Sequence, residues 1–184
     1  MVRFERQPPG TALTRSTLSV GALLAVLAAW LVVEREPEPA AVAALASGVL
    51  LLVGGHRANH GAGGPTDRML DELLDRVWDG TVLGTTAWVA RDGEPAVALA
   101  ALSALCLSAL SAYVRARGAS LAYSVEESHL TRGLRYGLVV AGLGLGHAWA
   151  LWLAAGVSGL AVIVRTSQVA REERMSQAAR QERS

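Results

Sequence analysis

Residues 16–33 read STLSVGALLAVLAAWLVV and contain no charged side chain. An α-helix rises about 1.5 Å per residue, so about 20 apolar residues cross the ~30 Å hydrocarbon core of a bilayer. Three further apolar runs follow, at residues 40–55, 95–114 and 133–164. The last run is too long for one crossing, and the pair Gly146-His147 near its middle predicts a turn that divides it into two helices.

The composition also indicates a membrane protein. Of the 184 residues, 52% are hydrophobic and only 18% are charged, whereas soluble domains have about 25% charged residues. A chain this apolar is not typical of disorder. The net charge of +1 lacks the basic excess of a nucleic-acid-binding protein, so we expect no nucleic-acid partner. The single cysteine, Cys106, excludes a disulfide framework.

One more helix is predicted over residues 66–90. Its first half is charged, and its second half, GTVLGTTAWVA, is apolar. We expect the charged turns to lie in a polar cavity or at the cytoplasmic interface. This helix brings the count to six, so the predicted fold class is an all-α polytopic membrane protein with six transmembrane helices.

The arginines predict the orientation. With six crossings, fifteen of the 17 basic residues fall on one side of the membrane, and only Arg35 and Arg91 fall on the other. Such a bias is typical of the cytoplasmic side. We therefore expect a multi-pass protein of the cell membrane with both termini and its polar site in the cytoplasm. The predicted division is a cytoplasmic segment at 1–15, a membrane domain at 16–165 and a polar tail at 166–184, which we expect to continue as a helix.

The stretch TDRMLDELLDRVWDG, residues 66–80, carries a stripe of acids. Four aspartates recur at every fourth position: Asp67, Asp71, Asp75 and Asp79. On a helix this spacing places them on one face, where like charges repel. Carboxylates near a membrane are costly and are usually functional. A divalent cation such as Mg²⁺, which prefers oxygen ligands, would offset the repulsion.

Two other interpretations of this region stay open. The acids could form a solvated cytoplasmic turn, neutralised by Arg68 and Arg76. Alternatively, His56 and His60, four residues apart, could join an aspartate in a Zn²⁺ or Mn²⁺ site. The glycine-rich stretch GGHRANHGAGGP that contains both histidines predicts a loop, which disfavours the second interpretation.

LDELLDRVWDG, residues 70–80, resembles the second half of the signature of the CDP-alcohol phosphotransferase family, D-x-x-D-G-x-x-A-R-x8-G-x3-D-x3-D. The resemblance is to the phosphatidylglycerophosphate-synthase-like members of actinobacteria. YVRAR, residues 113–117, is similar to the segment that ends their fourth helix. Arg132 and Arg135 match two arginines that begin their fifth helix. A six-helix topology with both termini inside agrees with the family as well.

The resemblance implies a transferase of phospholipid biosynthesis, in which an acceptor hydroxyl attacks the β-phosphorus of a CDP-linked lipid and CMP leaves. The implied partner is CDP-diacylglycerol or a similar CDP-linked lipid, and the implied cofactor is Mg²⁺ or Mn²⁺ in a two-metal site. Asp71 matches the third signature aspartate, a metal ligand. Asp75 matches the fourth, which is a metal ligand and the general base. Family members are commonly dimers, so we expect a homodimer or a heterodimer with a paralogue.

The resemblance also implies a basic pocket for the acceptor phosphate. The residues that match it are Arg115, Arg117, Arg132 and Arg135. Guanidinium groups suit this role because their planar fork of donors matches phosphate geometry.

The first half of the signature is degenerate in LLVGGHRAN, residues 51–59. Leu51 and Gly54 stand at its two aspartate positions. Of the other positions, Gly55 and Ala58 are retained, Asn59 replaces the arginine, and Asp67 replaces the glycine of the second half.

Two hypotheses follow from these departures. The chain is either a divergent but active metal-dependent transferase, or a catalytically dead family member that serves as a lipid- or nucleotide-binding or assembly subunit. A transporter or channel is disfavoured, because the charges lie at one end of the predicted spans and none marks a path through the bilayer.

Overall fold

A computed structural model describes residues 10–60, 64–123 and 129–181 of the chain. Within these ranges the secondary structure is helical, and there are six helices. They are α1 (Gly10–Val33), α2 (Pro37–His60), α3 (Pro65–Ala90), α4 (Pro95–Ser120), α5 (His129–Leu145) and α6 (Ala148–Gln181). The predicted all-α class is confirmed, and so is the helix over residues 66–90.

Short turns join the helices in pairs. Proline begins α2, α3 and α4, because its fixed φ suits the first turn of a helix and its missing N–H is not needed there. Between α5 and α6, Gly146 adopts a φ of 63°, a left-handed conformation that glycine reaches without strain. The turn predicted at Gly146-His147 is therefore confirmed.

The α1–α2, α3–α4 and α5–α6 turns meet at one end of the bundle. Residues of all three turns, among them Arg35, Gly93 and Gly146, line a common cavity of about 210 Å³. The other ends of the helices bring the start of α3 close to α1, since Arg15 contacts Asp67. The six helices thus alternate in direction along the chain.

The helix α3 lies in the middle of the packing. It contacts α1, α2 and α4, while α5 packs against α2 and α6, and α6 also packs against α4. The core is made mostly of alanine and leucine, with Trp78 as its largest fully buried side chain. The outward-facing surface is also apolar: Leu23, Val42 and Ile163 are each at least two-thirds exposed. Apolar residues on both sides of a helix are typical of a membrane-embedded bundle.

Four helices in the described part of the chain are long and apolar enough to span a membrane, not the six that the sequence predicts. The four segments are Ala12–Val33, Pro37–Asn59, Pro95–Ser120 and Ala148–Met175. The first half of α3 is charged, and α5 has only 17 residues and carries Arg132 and Arg135. These four helices indicate a membrane-embedded protein.

One sequence prediction in this region is wrong. The glycine-rich stretch predicted as a loop is helical through His60, the last residue of α2. Glycine costs a helix only about 1 kcal/mol relative to alanine, and here Gly54 and Gly55 lie where neighbouring groups approach the helix closely. The predicted continuation of the last helix into the polar tail is confirmed as far as Gln181.

The contact between α5 and α6 predicts a sharp difference between two glycines of α5. A Cβ at Gly142 would lie 2.8 Å from Leu151 Cγ, whereas a Cβ at Gly137 would meet no atom within 4 Å. We expect Gly142→Ala to lower the free energy of unfolding by about 1–3 kcal/mol, because the helices must move apart. Gly137→Ala is the matched control and is expected to cause no loss. Thermal unfolding in detergent measures both, and equal melting temperatures would contradict the packing.

Candidate functional site

The four aspartates of α3 are buried. Their exposed fractions are 0% for Asp67, 3% for Asp71, 2% for Asp75 and 1% for Asp79. The interpretation of the stripe as a solvated turn is therefore wrong, because a solvated turn would leave the carboxylates in water. Buried charges need charged or hydrogen-bonding partners, and each of these acids has an arginine.

Asp67 caps the N-terminus of α3 and pairs with Arg15 of α1. Its Oδ2 accepts a hydrogen bond from the backbone N–H of Gly64 at 3.0 Å, and its Oδ1 accepts one from Arg15 Nε at 2.6 Å. The hydrogen bond from Arg15 lowers the pKa of Asp67 below its ordinary value, since it favours the ionised form. Asp67 therefore joins two helices at the signature position where the family has glycine.

Asp71 pairs with Arg132 of α5. Arg132 Nη1 donates to Asp71 Oδ2 and Nη2 donates to Asp71 Oδ1, both at 3.0 Å. This is the bidentate geometry in which a guanidinium binds a carboxylate most strongly. The same guanidinium donates through Nε to Asp75 Oδ1 at 2.9 Å, so one arginine bridges two carboxylates that lie one turn apart on α3.

Asp75 is the most heavily bonded of the four. Its Oδ1 also accepts hydrogen bonds from Arg135 Nη2 at 3.0 Å and from the hydroxyl of Tyr136. Its Oδ2 accepts a hydrogen bond from Arg76, the next residue on α3. Both oxygens of the predicted general base are thus taken by donors.

Asp79 completes the arrangement. It lies 3.1 Å from Arg76 Nη1 and 3.3 Å from Arg135 Nη2. Ser108 of α4 donates to Asp79 Oδ2 and accepts from Arg76 Nη1 at 2.6 Å and Arg135 Nη1 at 3.0 Å. The serine therefore bridges the acidic and basic groups.

We name the inner part of this network the Asp–Arg ladder. Its members are Asp71, Asp75, Asp79, Arg76, Arg132 and Arg135. Three carboxylates face three guanidinium groups, so the formal charge of the ladder is zero. Of the two arginines predicted to neutralise the acids, Arg76 pairs with Asp75 and Asp79, whereas Arg68 is exposed. Tyr136 and Ser108, which orient the charged groups, were not predicted, because an isolated hydroxyl in an apolar helix carries no sequence signal of its partner.

The degenerate positions of α2 lie against two different neighbours. A Cβ at Gly54 would lie 2.6 Å from Leu18 of α1, and Leu51 is fully buried and approaches Gly21 of the same helix. Gly55 instead faces Asp71: a Cβ there would lie 2.5 Å from its Oδ1. The two positions where the signature has aspartate thus pack against apolar α1, and the retained glycine lets a carboxylate approach the backbone.

The last two signature positions in α2 are Ala58 and Asn59. Ala58 is fully buried. Asn59 donates from Nδ2 to the carbonyl oxygen of Gly55 within its own helix, at 2.8 Å. Asn59 therefore supplies no positive charge at the position where the signature has arginine.

The four arginines predicted to form a phosphate pocket are divided between two places. Arg132 and Arg135 are buried in the Asp–Arg ladder. Arg115 lies 3.4 Å from Glu72, whose side chain is more than half exposed, and Arg117 is exposed near the end of α4. Arg132 and Arg135 are thus occupied by carboxylates, whereas Arg117 is open to the surface and Arg115 is mostly buried beside Glu72.

The Mg²⁺ or Mn²⁺ that the resemblance implies does not fit the groups present. Among the side chains that the structure describes, no group of three or more His, Cys, Asp or Glu is placed to hold a metal ion. The side chain of His60, and with it the predicted His56–His60 site, lies outside them. Both oxygens of Asp71 and both of Asp75 already accept hydrogen bonds from donors that carry their own charge or a hydroxyl proton. A cation would have to displace guanidinium groups to reach them.

Comparison with known proteins adds no relative. No family model, no curated protein and no solved structure matches the chain. The interpretation of the site therefore depends on its geometry and on the local motifs of the sequence.

The first prediction for the site concerns Asp75. Asp75→Asn removes the charge of the one carboxylate that both Arg132 and Arg135 contact, and removing one partner of a buried ion pair costs about 3–5 kcal/mol. The matched control is Asp92→Asn, which removes the exposed partner of Arg91 and is expected to cost under about 1 kcal/mol. Thermal unfolding of both variants in the same detergent provides the comparison. A similar, small loss in both would show that the ladder does not stabilise the bundle.

The second prediction for the site concerns Gly55, where Asp71 lies close to α2. Gly55→Ala places a methyl group against Asp71 Oδ1 and is expected to lower the free energy of unfolding by about 1–3 kcal/mol. Gly80→Ala, on α3, meets no atom within 4 Å and serves as the control. Equal melting temperatures of the two alanine variants would contradict the close approach of Asp71 to α2.

Proposed function

We propose that this protein is a CDP-alcohol phosphotransferase-like membrane protein that does not catalyse head-group transfer and serves as a lipid- or nucleotide-binding or assembly subunit. The observation that carries the proposal is the environment of Leu51 and Gly54. Both positions, where the signature has metal-binding aspartates, pack against the apolar side of α1.

The chemistry of the transfer explains why this observation matters. Two-metal catalysis of phosphoryl transfer needs carboxylates on both sides of the cation pair. From position 39 to position 60, α2 has no acidic residue, so it offers no carboxylate to face those of α3. The acids of α3 are held by Arg132 and Arg135 instead.

The proposed arrangement in the membrane is six crossings, with both termini and the Asp–Arg ladder on the cytoplasmic side of the cell membrane. Four helices that are long and apolar enough to span a membrane support the placement of the bundle in the bilayer. The alternating direction of the helices and the excess of fifteen arginines over two support the orientation. In this arrangement α3 and α5 cross the bilayer in the shelter of the four more apolar helices, and their charged turns are shielded from lipid.

The proposed partners are a CDP-linked lipid such as CDP-diacylglycerol and a second membrane chain, either another copy or a paralogue. Arg117, which is exposed near the end of α4, is the proposed contact for a phosphate group. Arg115 lies beside it and pairs with Glu72. Their guanidinium groups match phosphate geometry.

A second candidate is an active, divergent transferase in which Asp71 and Asp75 hold one cation. The close contact between Gly55 and Asp71 favours it, because the signature also has glycine at this position. This candidate requires that the arginines of α5 leave the carboxylates when substrate binds.

Turnover in lipid nanodiscs separates the two candidates. Purified protein receives CDP-diacylglycerol with Mg²⁺ or Mn²⁺, and released CMP is measured against empty nanodiscs. We expect no release above the blank, together with a rise in the melting temperature as CDP-diacylglycerol stabilises the folded state. CMP release that both Asp71→Asn and Asp75→Asn abolish would contradict the proposal and establish the transferase.

A further inference from the structure

The contacts of α5 with α3 depend on a few long side chains. The body of α5 packs against α2 and α6, while Arg132, Arg135 and Tyr136 reach across to the carboxylates of α3. Both arginines are less than one-tenth exposed. They therefore lie where a cation bound to the acidic stripe would lie.

We infer that Arg132 and Arg135 are tethered counter-cations, which take the place of divalent metal on the stripe and make the stability of the bundle independent of it. The inference deepens the proposed function, on which it rests, because it assigns to two residues the charge that a metal would supply. In this view Arg132 and Arg135 occupy the place on the acidic stripe where a cation would otherwise bind.

The charges of the ladder carry the first step of the argument. With three carboxylates and three guanidinium groups the ladder is neutral, and burying a divalent ion there would leave an uncompensated charge of +2 in the interior. Such a charge is strongly disfavoured in a medium of low polarity. A cation is thus excluded as long as both arginines remain.

The geometry carries the second step. Arg132 covers both oxygens of Asp71 at 3.0 Å and one oxygen of Asp75 at 2.9 Å, and Arg135 covers that same oxygen at 3.0 Å. Replacing both arginines by glutamine removes two positive charges and frees both oxygens of Asp71, and it leaves the Tyr136 hydroxyl as the donor to Asp75 Oδ1. Carboxylate oxygens from two side chains, completed by water, are ligands that Mn²⁺ and Mg²⁺ accept.

The experiment compares melting temperatures in EDTA and in millimolar Mn²⁺. The proteins are the wild type, Arg132→Gln/Arg135→Gln and the control Arg91→Gln, whose exposed pair with Asp92 lies at the opposite end of the bundle. We expect the wild type and the control to melt at the same temperature in both solutions. The double variant should melt at a lower temperature in EDTA and recover at least about 3 °C in Mn²⁺, a shift that corresponds to roughly 1 kcal/mol in a chain of this size.

Three results would overturn the inference. The first is a saturable stabilisation of the wild type by Mn²⁺ that Asp71→Asn removes. The second is a double variant that melts in EDTA at the wild-type temperature, and the third is a double variant that is destabilised but does not respond to Mn²⁺.

If the double variant does not fold, a mutant cycle between Asp75→Asn and Arg132→Gln decides instead. Removing both partners of a buried pair is less costly than the sum of removing each. We therefore expect the combined loss in melting temperature to be smaller than the sum of the single losses, and additive losses would overturn the inference. These readouts do not involve CMP, so they remain informative if the proposed function itself fails the turnover assay.

Discussion

The ion pairs that Asp75 makes with Arg132 and Arg135 are the constraint on which the rest of the bundle depends. A carboxylate that is 2% exposed is stable only if its charge is balanced nearby, and here the balance comes from a different helix. The pairs fix the rotation of α3, since its acidic face must point toward α5. They also fix the position of α5 along the axis of the bundle, since Arg132 must lie at the level of Asp71 and Asp75.

Other features of the structure follow from that constraint. Asp71 lies so close to α2 that position 55 has no room for a side chain. Ser108 of α4 lies among Asp79, Arg76 and Arg135 and bonds with all three. Trp78 packs on the ring of Tyr136, with 4.2 Å between the ring centroids, and so supports the hydroxyl that donates to Asp75. A network in which each member has several partners is more rigid than isolated surface pairs.

Much of this arrangement can be predicted from the sequence. The uncharged runs predict the helices, the four-residue spacing predicts one acidic face on α3, and Gly146 predicts the last turn. The partners of the acids are harder to predict, because the spacing of Asp71 and Asp75 is equally compatible with a metal ion or with arginines from another helix. Arg132 is 57 residues from Asp75 in the chain, and no local pattern states that the two meet. The helical course of residues 54–60 was also missed, since glycine density favours a loop only when nothing packs against it.

The same geometry connects the fold to the proposed loss of catalysis. In a metal-dependent site, removable cations neutralise the carboxylates and bind substrate phosphate. In this chain the neutralising charges are covalently attached to α3 and α5, and Leu51 and Gly54 pack against α1. These two features are the reasons for the proposed role in binding or assembly rather than in head-group transfer.

The stoichiometry of Mn²⁺ binding tests the central claim most directly. Electron paramagnetic resonance of Mn²⁺ mixed with the wild-type protein in zwitterionic nanodiscs measures the free ion, and empty nanodiscs give the background. If the arginines of α5 neutralise the acidic stripe, the free Mn²⁺ signal will equal that of empty nanodiscs. Binding of one or more Mn²⁺ per chain that is lost in Asp71→Asn would contradict the account.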